Sequence, residues 1–355
     1  MTVFLVLIVI ILFAVAIWQM NKIYALSKGN SSGESGEVAN EKDNRINAKL
    51  MVMFMVFLYF LMFYCFWHYS KFYLPEASSA HGGKYDNLMF ISIALIMVVQ
   101  IITQFLLHFF AYKYKGKKGQ RALFYADNDK LEFIWTIIPV IVLAGLIIYG
   151  LFTWSDIMNF DEDEDALVVE LYAQRFNWKA RYAGEDNILG DANVRFIEGI
   201  NQLGIDPSDV DGQDDVVTQE LHLPVGRQVV FKLRSQDVLH SAYMPHFRAQ
   251  MNVVPGMITQ FSFTPTVTTE EIRKTDYMQD KMRTIQEIPK EKSKELAAAG
   301  EPALNDYDEF DYYLLCNKIC GESHYNMQMK IIVESQEDYD KWIKTQKTFE
   351  ASVAQ

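Results

Sequence analysis

The run Cys316-Asn-Lys-Ile-Cys320-Gly-Glu-Ser-His324-Tyr-Asn-Met327 puts two thiols, an imidazole and a thioether into one short segment. The β-type runs Tyr312–Leu315 and Met329–Val333 flank it, so the pattern predicts a loop held at one end of a sheet. Thiolate and thioether are soft ligands that suit copper, and imidazole suits copper among several metals. A hard cation wants several carboxylates, and the run supplies only Glu322. Strands on both sides leave such a site little freedom to rearrange when its charge changes, which is what fast electron transfer requires.

Two plainer readings compete. A local disulfide between Cys316 and Cys320 suits an oxidising compartment but leaves His324 and Met327 unexplained. A structural zinc site has no use for Met327, and the chain has no second Cys or His pair at zinc spacing. The third cysteine, Cys65, lies in an apolar stretch and reads as membrane packing; three cysteines do not make a disulfide framework. A single copper needs one non-bridging thiolate, so two cysteines at this spacing suggest two coppers bridged by two thiolates. That pair needs a second imidazole. His240, in Asp237-Val-Leu-His240-Ser241, follows the strand-like run Val229–Leu233; His246 and His222 are its rivals, and spacing alone does not choose among them.

Further strand-like runs, Leu167–Tyr172 and Ile258–Phe263, make residues 155–340 β-rich and predict a sandwich or barrel. Two insertions interrupt it: an Asp/Gly-rich excursion at 184–217, and a Glu/Lys/Met/Ala-rich stretch at 269–300 that reads as surface helix ended by Gly300-Glu301-Pro302. The insert reads as a solvated excursion more readily than as a contact surface.

The N-terminal part differs in kind. Val3–Trp18, Leu50–Trp67, Leu88–Tyr112 and Phe133–Trp154 carry no charge, and a spanning helix needs about 20 apolar residues, which predicts four spans. The first is short, with a cleavage-like Ala14-Val15-Ala16, but it lacks a basic leader and is read as a retained span. Gln100, Gln104 and His108 mark the third as one that packs against other helices. Lys113, Lys115, Lys117, Lys118, Arg121 and Lys130 crowd the connection between the third and fourth, which makes it cytoplasmic. The β-rich part then lies outside, and so does the N-terminus. Residues 19–49 read as a flexible cytoplasmic linker.

The 355 residues suit about two domains. Mean hydropathy near zero and a net charge of −12 average two unlike halves. Residues 1–154 carry +4 and the remainder −16. An acidic outer half repels a phosphate backbone and excludes nucleic acid as a partner.

At the motif level the sequence resembles cytochrome c oxidase subunit II. Cys316-x3-Cys320-x3-His324-x2-Met327 matches the family's copper loop, Asp237–Ser241 matches its upstream histidine segment, and Leu131-Glu132-Phe-Ile-Trp135-Thr136-Ile-Ile-Pro139 matches the start of its second helix. The resemblance implies a cupredoxin-like sandwich holding a dinuclear copper (CuA) centre, with His240, Cys316, Cys320, His324, Met327 and the backbone carbonyl of Lys318 as ligands. It implies electron intake from a cytochrome c-type donor outside and delivery to haem in subunit I, where oxygen is reduced to water with proton pumping. The partners implied are subunit I, further oxidase subunits and the donor, with a supercomplex containing a quinol-oxidising complex as an extension; the location is the bacterial inner membrane.

Three departures qualify it. Lys318 stands where the family usually has Glu, so the carboxylate for an interfacial magnesium is missing. Asn252 stands where Asp is common. Phe176 stands where a Trp usually receives electrons, while Trp178 in the same aromatic segment is retained and reads more as a core residue than as a redox one. Glu132 has two readings: an acid stabilising a helix N-terminus by about 0.3–1 kcal/mol, or the family's proton entrance toward subunit I.

The expected layout is an extra transmembrane pair with linker at 1–68, a family-like transmembrane hairpin at 69–154, the copper domain at 155–340 and a tail at 341–355. The competing functions are a non-redox scaffold subunit of a quinol oxidase, which lacks copper ligands, and a membrane-tethered copper chaperone, against which Met327 and the β-rich pattern count.

Overall fold

The computed structural model describes residues 2–29, 41–160, 163, 165–300, 302 and 309–354, with side chains in the first helix only from Ile10 to Tyr24. Two compact units emerge: Met1–Trp67 with Ile96–Asp129, and His68–Leu95 with Lys130–Gln355.

Four long helices come first: α1 (Thr2–Gly29), α2 (Glu41–Tyr69), α3 (Gly82–Lys113) and α4 (Asp129–Met158). Three of them, α2 to α4, are long and apolar enough to cross a membrane; the described apolar part of α1 is shorter, Ile10–Tyr24. The expected first span at Val3–Trp18 therefore lies partly outside the described side chains. The helices also run past their apolar stretches: α1 continues to Gly29 and α2 begins at Glu41, which leaves the expected linker largely helical, while residues 30–40 lie outside the described residues. Within the first unit, Tyr59 of α2 donates to the Ile101 carbonyl of α3 at 2.6 Å, and Phe54 meets the buried His108 with ring centroids 6.0 Å apart. The polar face read in the third span thus packs on a helix of the same chain. The remaining faces expose Phe90, Phe152 and similar side chains, which lipid or further helices must cover.

Among the described residues the second unit has ten strands in two five-stranded sheets. The first orders β3 (Val216–Thr218), β2 (Asn177–Tyr182), β1 (Leu167–Gln174), β5 (Val229–Ser235) and β8 (Thr259–Phe263). The second orders β4 (Leu221–Pro224), β10 (Gln328–Glu334), β9 (Tyr312–Cys316), β6 (His240–Met244) and β7 (Ala249–Val253). Alternation gives each strand an inward face. Leu171 and Trp178 from the first sheet share one core with Leu223, Met244, Leu314 and Ile331 from the second, which makes the domain a cupredoxin-like sandwich.

The strand-like runs read from sequence all lie in strands, but β2, β3, β4, β6 and β7 were not legible as such. β2 is Asn-Trp-Lys-Ala-Arg-Tyr, whose Lys179 and Arg181 disguise the inward set Trp178, Ala180 and Tyr182. The excursion folds over those outward residues. Arg181 is buried and pairs with Glu170 at 3.2 Å and with Asp215; Arg234 donates to Glu170 and, at 2.9 Å, to the Leu203 carbonyl. Buried charges of this kind persist only when so paired. Helices α5 (Thr269–Arg273) and α6 (Asp276–Ala298) fill the predicted helical insert, and Gly300 beyond them adopts φ +76°. Helix α7 (Gln336–Ile343) crosses the expected domain end at 340, and α8 (Phe349–Val353) lies in the stretch expected to be a tail. Its Phe349 is buried with Tyr172, Leu203 and Ile205, and its backbone N–H donates to the Asp215 carbonyl at 2.7 Å.

Candidate metal centre

The register of the second sheet decides which histidine meets the cysteines. β6 runs antiparallel to β9 with Ala242 opposite Cys316 and Tyr243 opposite Leu315. The start of β6 therefore lies beside the end of β9, and His240 lies beside Cys316. His246, after the far end of β6, faces Phe310 and Tyr312 with ring centroids 4.9 and 5.5 Å away. Both its ring nitrogens are buried without a partner, and burial with the charges of Lys281 and Arg248 lowers its pKa to about 4. His222 in β4 pairs with Glu334 at 2.7 Å and stacks on Trp342 with centroids 3.8 Å apart. Glu334 closes β10, whose opposite end follows the cysteine loop. Neither rival reaches the thiols.

The loop itself is tied at several points. Cys316 N–H donates to the Met327 carbonyl at 3.1 Å, Asn317 N–H to Ser241 at 3.0 Å, and Met327 N–H to the His324 carbonyl at 3.2 Å. Gly321 adopts φ +147°, and a Cβ there would lie 2.8 Å from the Phe176 ring. The loop is thus pressed on Phe176 at a point only glycine fits.

Six predicted ligands converge. Cys316 Sγ lies 3.9 Å from Cys320 Sγ, 3.7 Å from His240 Nδ1 and 3.2 Å from the Lys318 carbonyl oxygen. Cys320 Sγ lies 3.6 Å from His324 Nδ1 and 3.7 Å from Met327 Sδ. Both cysteines are free thiols, which sets the disulfide reading aside. Two thiolates on one ion, with bonds of about 2.3 Å, lie at most about 4.6 Å apart, so their 3.9 Å separation lets both hold the same ion. The donor set fits copper: two thiolates in the middle, one imidazole beside each, a thioether near one and a carbonyl near the other. Among the described residues, His240, Cys316 and Cys320 form the one cluster of this kind. Lys318, whose carbonyl faces Cys316, presents an exposed ammonium rather than a carboxylate.

Electrostatics favour the thiolate at Cys316 and oppose it at Cys320. Burial pushes both thiols up; at Cys316 the bonds with His240 and with the backbone at Lys318 and Ser241 overcome it and lower the pKa, while the charge of Cys316 raises Cys320 further. Burial also disfavours a charged His240, yet its bonds to Cys316 and Asp237 leave its pKa raised.

Sequence reasoning missed Asp237. Its carboxylate accepts from His240 Nε2 at 2.9 Å, from Arg175 N–H and Nε–H at 3.0 Å each, and from Val238 N–H at 2.7 Å. Burial opposes its ionisation, but these bonds outweigh it and hold the carboxyl well below the usual range. With Nε2–H donated to Asp237, His240 turns a lone-pair Nδ1 toward the thiols; a carboxylate behind a metal-binding histidine fixes its tautomer in this way. The Asp-x-x-His spacing was the signal available. Trp178 is fully buried with its ring edge-on to His240 at 6.1 Å, and Phe176 lies on the loop at Gly321. Glu132 sits in the first turn of α4, apart from these residues in sequence and in element.

Comparison with known proteins follows the same division of the chain. Residues 68–152 match the family "Cytochrome C oxidase subunit II, transmembrane domain", and residues 167–271 match "Cytochrome C oxidase subunit II, periplasmic domain". The alternative cytochrome c oxidase subunit 2 of Bradyrhizobium diazoefficiens is 34% identical over 240 residues, covering 67% of this chain and 71% of that protein. The chain belongs to the cytochrome c oxidase subunit II family. A membrane-spanning anchor with a periplasmic-type domain is that family's layout, and α2 with α1 precedes the matched transmembrane region. The periplasmic match stops at residue 271, where the helical insert begins, so the cysteine loop lies beyond it and rests on the geometry above. A probable quinol oxidase subunit 2 of Staphylococcus saprophyticus is 28% identical over 194 residues, covering 54% of this chain and 43% of that protein. The solved periplasmic domain of cytochrome oxidase subunit II from Bradyrhizobium japonicum covers 52% of this chain and 96% of its own, at 16% identity and a TM-score of 0.30.

Proposed function

We propose that this member of the subunit II family is the electron-accepting subunit of a haem-copper terminal oxidase. In this reading His240, Cys316, Cys320, His324, Met327 and the Lys318 carbonyl hold two copper ions. Bound there, the pair would supply a one-electron carrier. The chain's residues do the rest: β6, β9 and β10 fix the donors, Asp237 orients His240, Phe176 lies against the loop, and the buried Trp178 stands edge-on behind His240. Electrons pass onward to haem in subunit I, where oxygen reduction and proton pumping belong to the complex. Residues 155–340 form the copper domain on the outer side, 69–154 the membrane hairpin and 1–68 an added pair with the N-terminus outside.

The convergence of all six donors carries this reading. A family relative named a quinol oxidase subunit leaves the donor open on similarity alone, and it is the donor set that favours a one-electron protein donor. The −16 charge of residues 155–355 suits a basic one. Purified oxidase is expected to oxidise a reduced basic c-type cytochrome faster than a quinol, with kcat/KM falling about tenfold or more between low and high salt as charge steering is screened. Quinol oxidation at the higher, salt-independent rate contradicts it.

A further inference from the structure

The excursion, the edge of the first sheet and the C-terminal helix enclose a half-open cavity of about 450 Å³ that the copper chemistry does not use. Lys179 of β2 forms part of its wall. Strand alternation places this residue on the face opposite Trp178, away from the core that holds His240. Lys179 is 9% exposed, and its amine donates to the amide oxygen of Gln202. Among the described residues no carboxylate pairs with it, in contrast to Arg181 two positions on, which has two. Burial lowers its pKa, the cost of an ammonium facing only a neutral amide.

The rest of the lining has the same bias. Lys347 and Gln219 also lie on the wall, while Thr218, Ser352 and Asn201 spend their donors on backbone carbonyls; the wall contains no Asp or Glu, although the surrounding half of the chain carries −16. Leu203, Ile205, Val217 and Phe349 supply an apolar side. The volume is that of a small-molecule site. Of the two lysines on the wall only Lys179 is buried, and one buried ammonium is a point charge that matches one negative charge.

We propose that this cavity binds a small organic carboxylate, its anionic end on Lys179 and its apolar body against Leu203, Ile205 and Phe349. Binding returns a counter-charge to the buried amine and covers apolar surface in one step. Nothing in the proposal depends on copper.

Calorimetric titration of the full chain in non-ionic detergent with sodium benzoate tests it. Saturable binding is expected, weakened at least about tenfold by Lys179→Met and also reduced by Phe349→Ala. Benzyl alcohol, with the body but not the charge, and inorganic phosphate, with the charge but not the body, should each bind at least about tenfold more weakly. If Lys179→Met does not fold, protection of Lys179 in the unmodified chain decides: benzoate should slow its acylation, read by peptide mass spectrometry, while exposed lysines react unchanged. Absence of saturable benzoate binding, equal affinity in a folded Lys179→Met chain, failure to protect Lys179, or phosphate binding as tightly as benzoate overturns the proposal.

Discussion

Oxidase carrying Cys316→Ser is expected to stop accepting electrons from a c-type cytochrome while its haem remains reducible by small artificial donors. A serine hydroxyl stays protonated where the Cys316 thiol, bonded to His240 and to the backbone at Lys318 and Ser241, is biased toward the thiolate. Only the ionised sulfur binds metal well. Cys316 lies within bonding-network distance of three other donors, so its loss removes the bridge on which both halves of the site depend. An outer partner of a metal ligand is worth roughly 10–100-fold, and this change removes a ligand itself, so the donor-driven rate should fall by more than that. Stopped-flow reduction of the haem, run in parallel with copper analysis, reads both effects. Copper retention with normal cytochrome c oxidation contradicts the assignment.

Asp237→Asn makes the next largest change. The single amide oxygen can keep the His240 Nε2 bond or the Arg175 bonds but not both, since they go to different carboxylate oxygens, and the negative charge that fixes the imidazole is gone. Copper affinity should fall about 10–100-fold, measured by competition with a chelator of known affinity. The core has no part in Asp237's bonds, so the melting temperature of the apo-chain should change little. Unaltered copper affinity in the variant removes Asp237 from the site.

What the sequence showed, and what it hid, follows from where the interactions lie along the chain. The cysteine loop was legible because its donors are contiguous and its flanking strands are β-branched and aromatic. The three long spans were legible because uncharged length alone marks them. His240 was not separable from His246 or His222 by spacing; the β6–β9 register chooses it, and register is a property of pairing between segments 76 residues apart. β6 reads His-Ser-Ala-Tyr-Met, with no β-branched residue to announce a strand. The Asp/Gly-rich excursion looked like solvent-facing loop because its aspartates were counted without their partners. Asp215 is in fact buried against Arg181, and Leu203 and Ile205 pack on Tyr172. The packing of residues 341–355 was hidden for the same reason: Phe349 finds neighbours in that excursion, far back in the sequence.

The most direct test is copper content and electron paramagnetic resonance of the purified full-length chain, loaded with copper and oxidised. The account predicts two copper ions per chain and a hyperfine pattern in which one unpaired electron is shared by both nuclei. One copper per chain with a single-nucleus pattern, or zinc in its place, would contradict it.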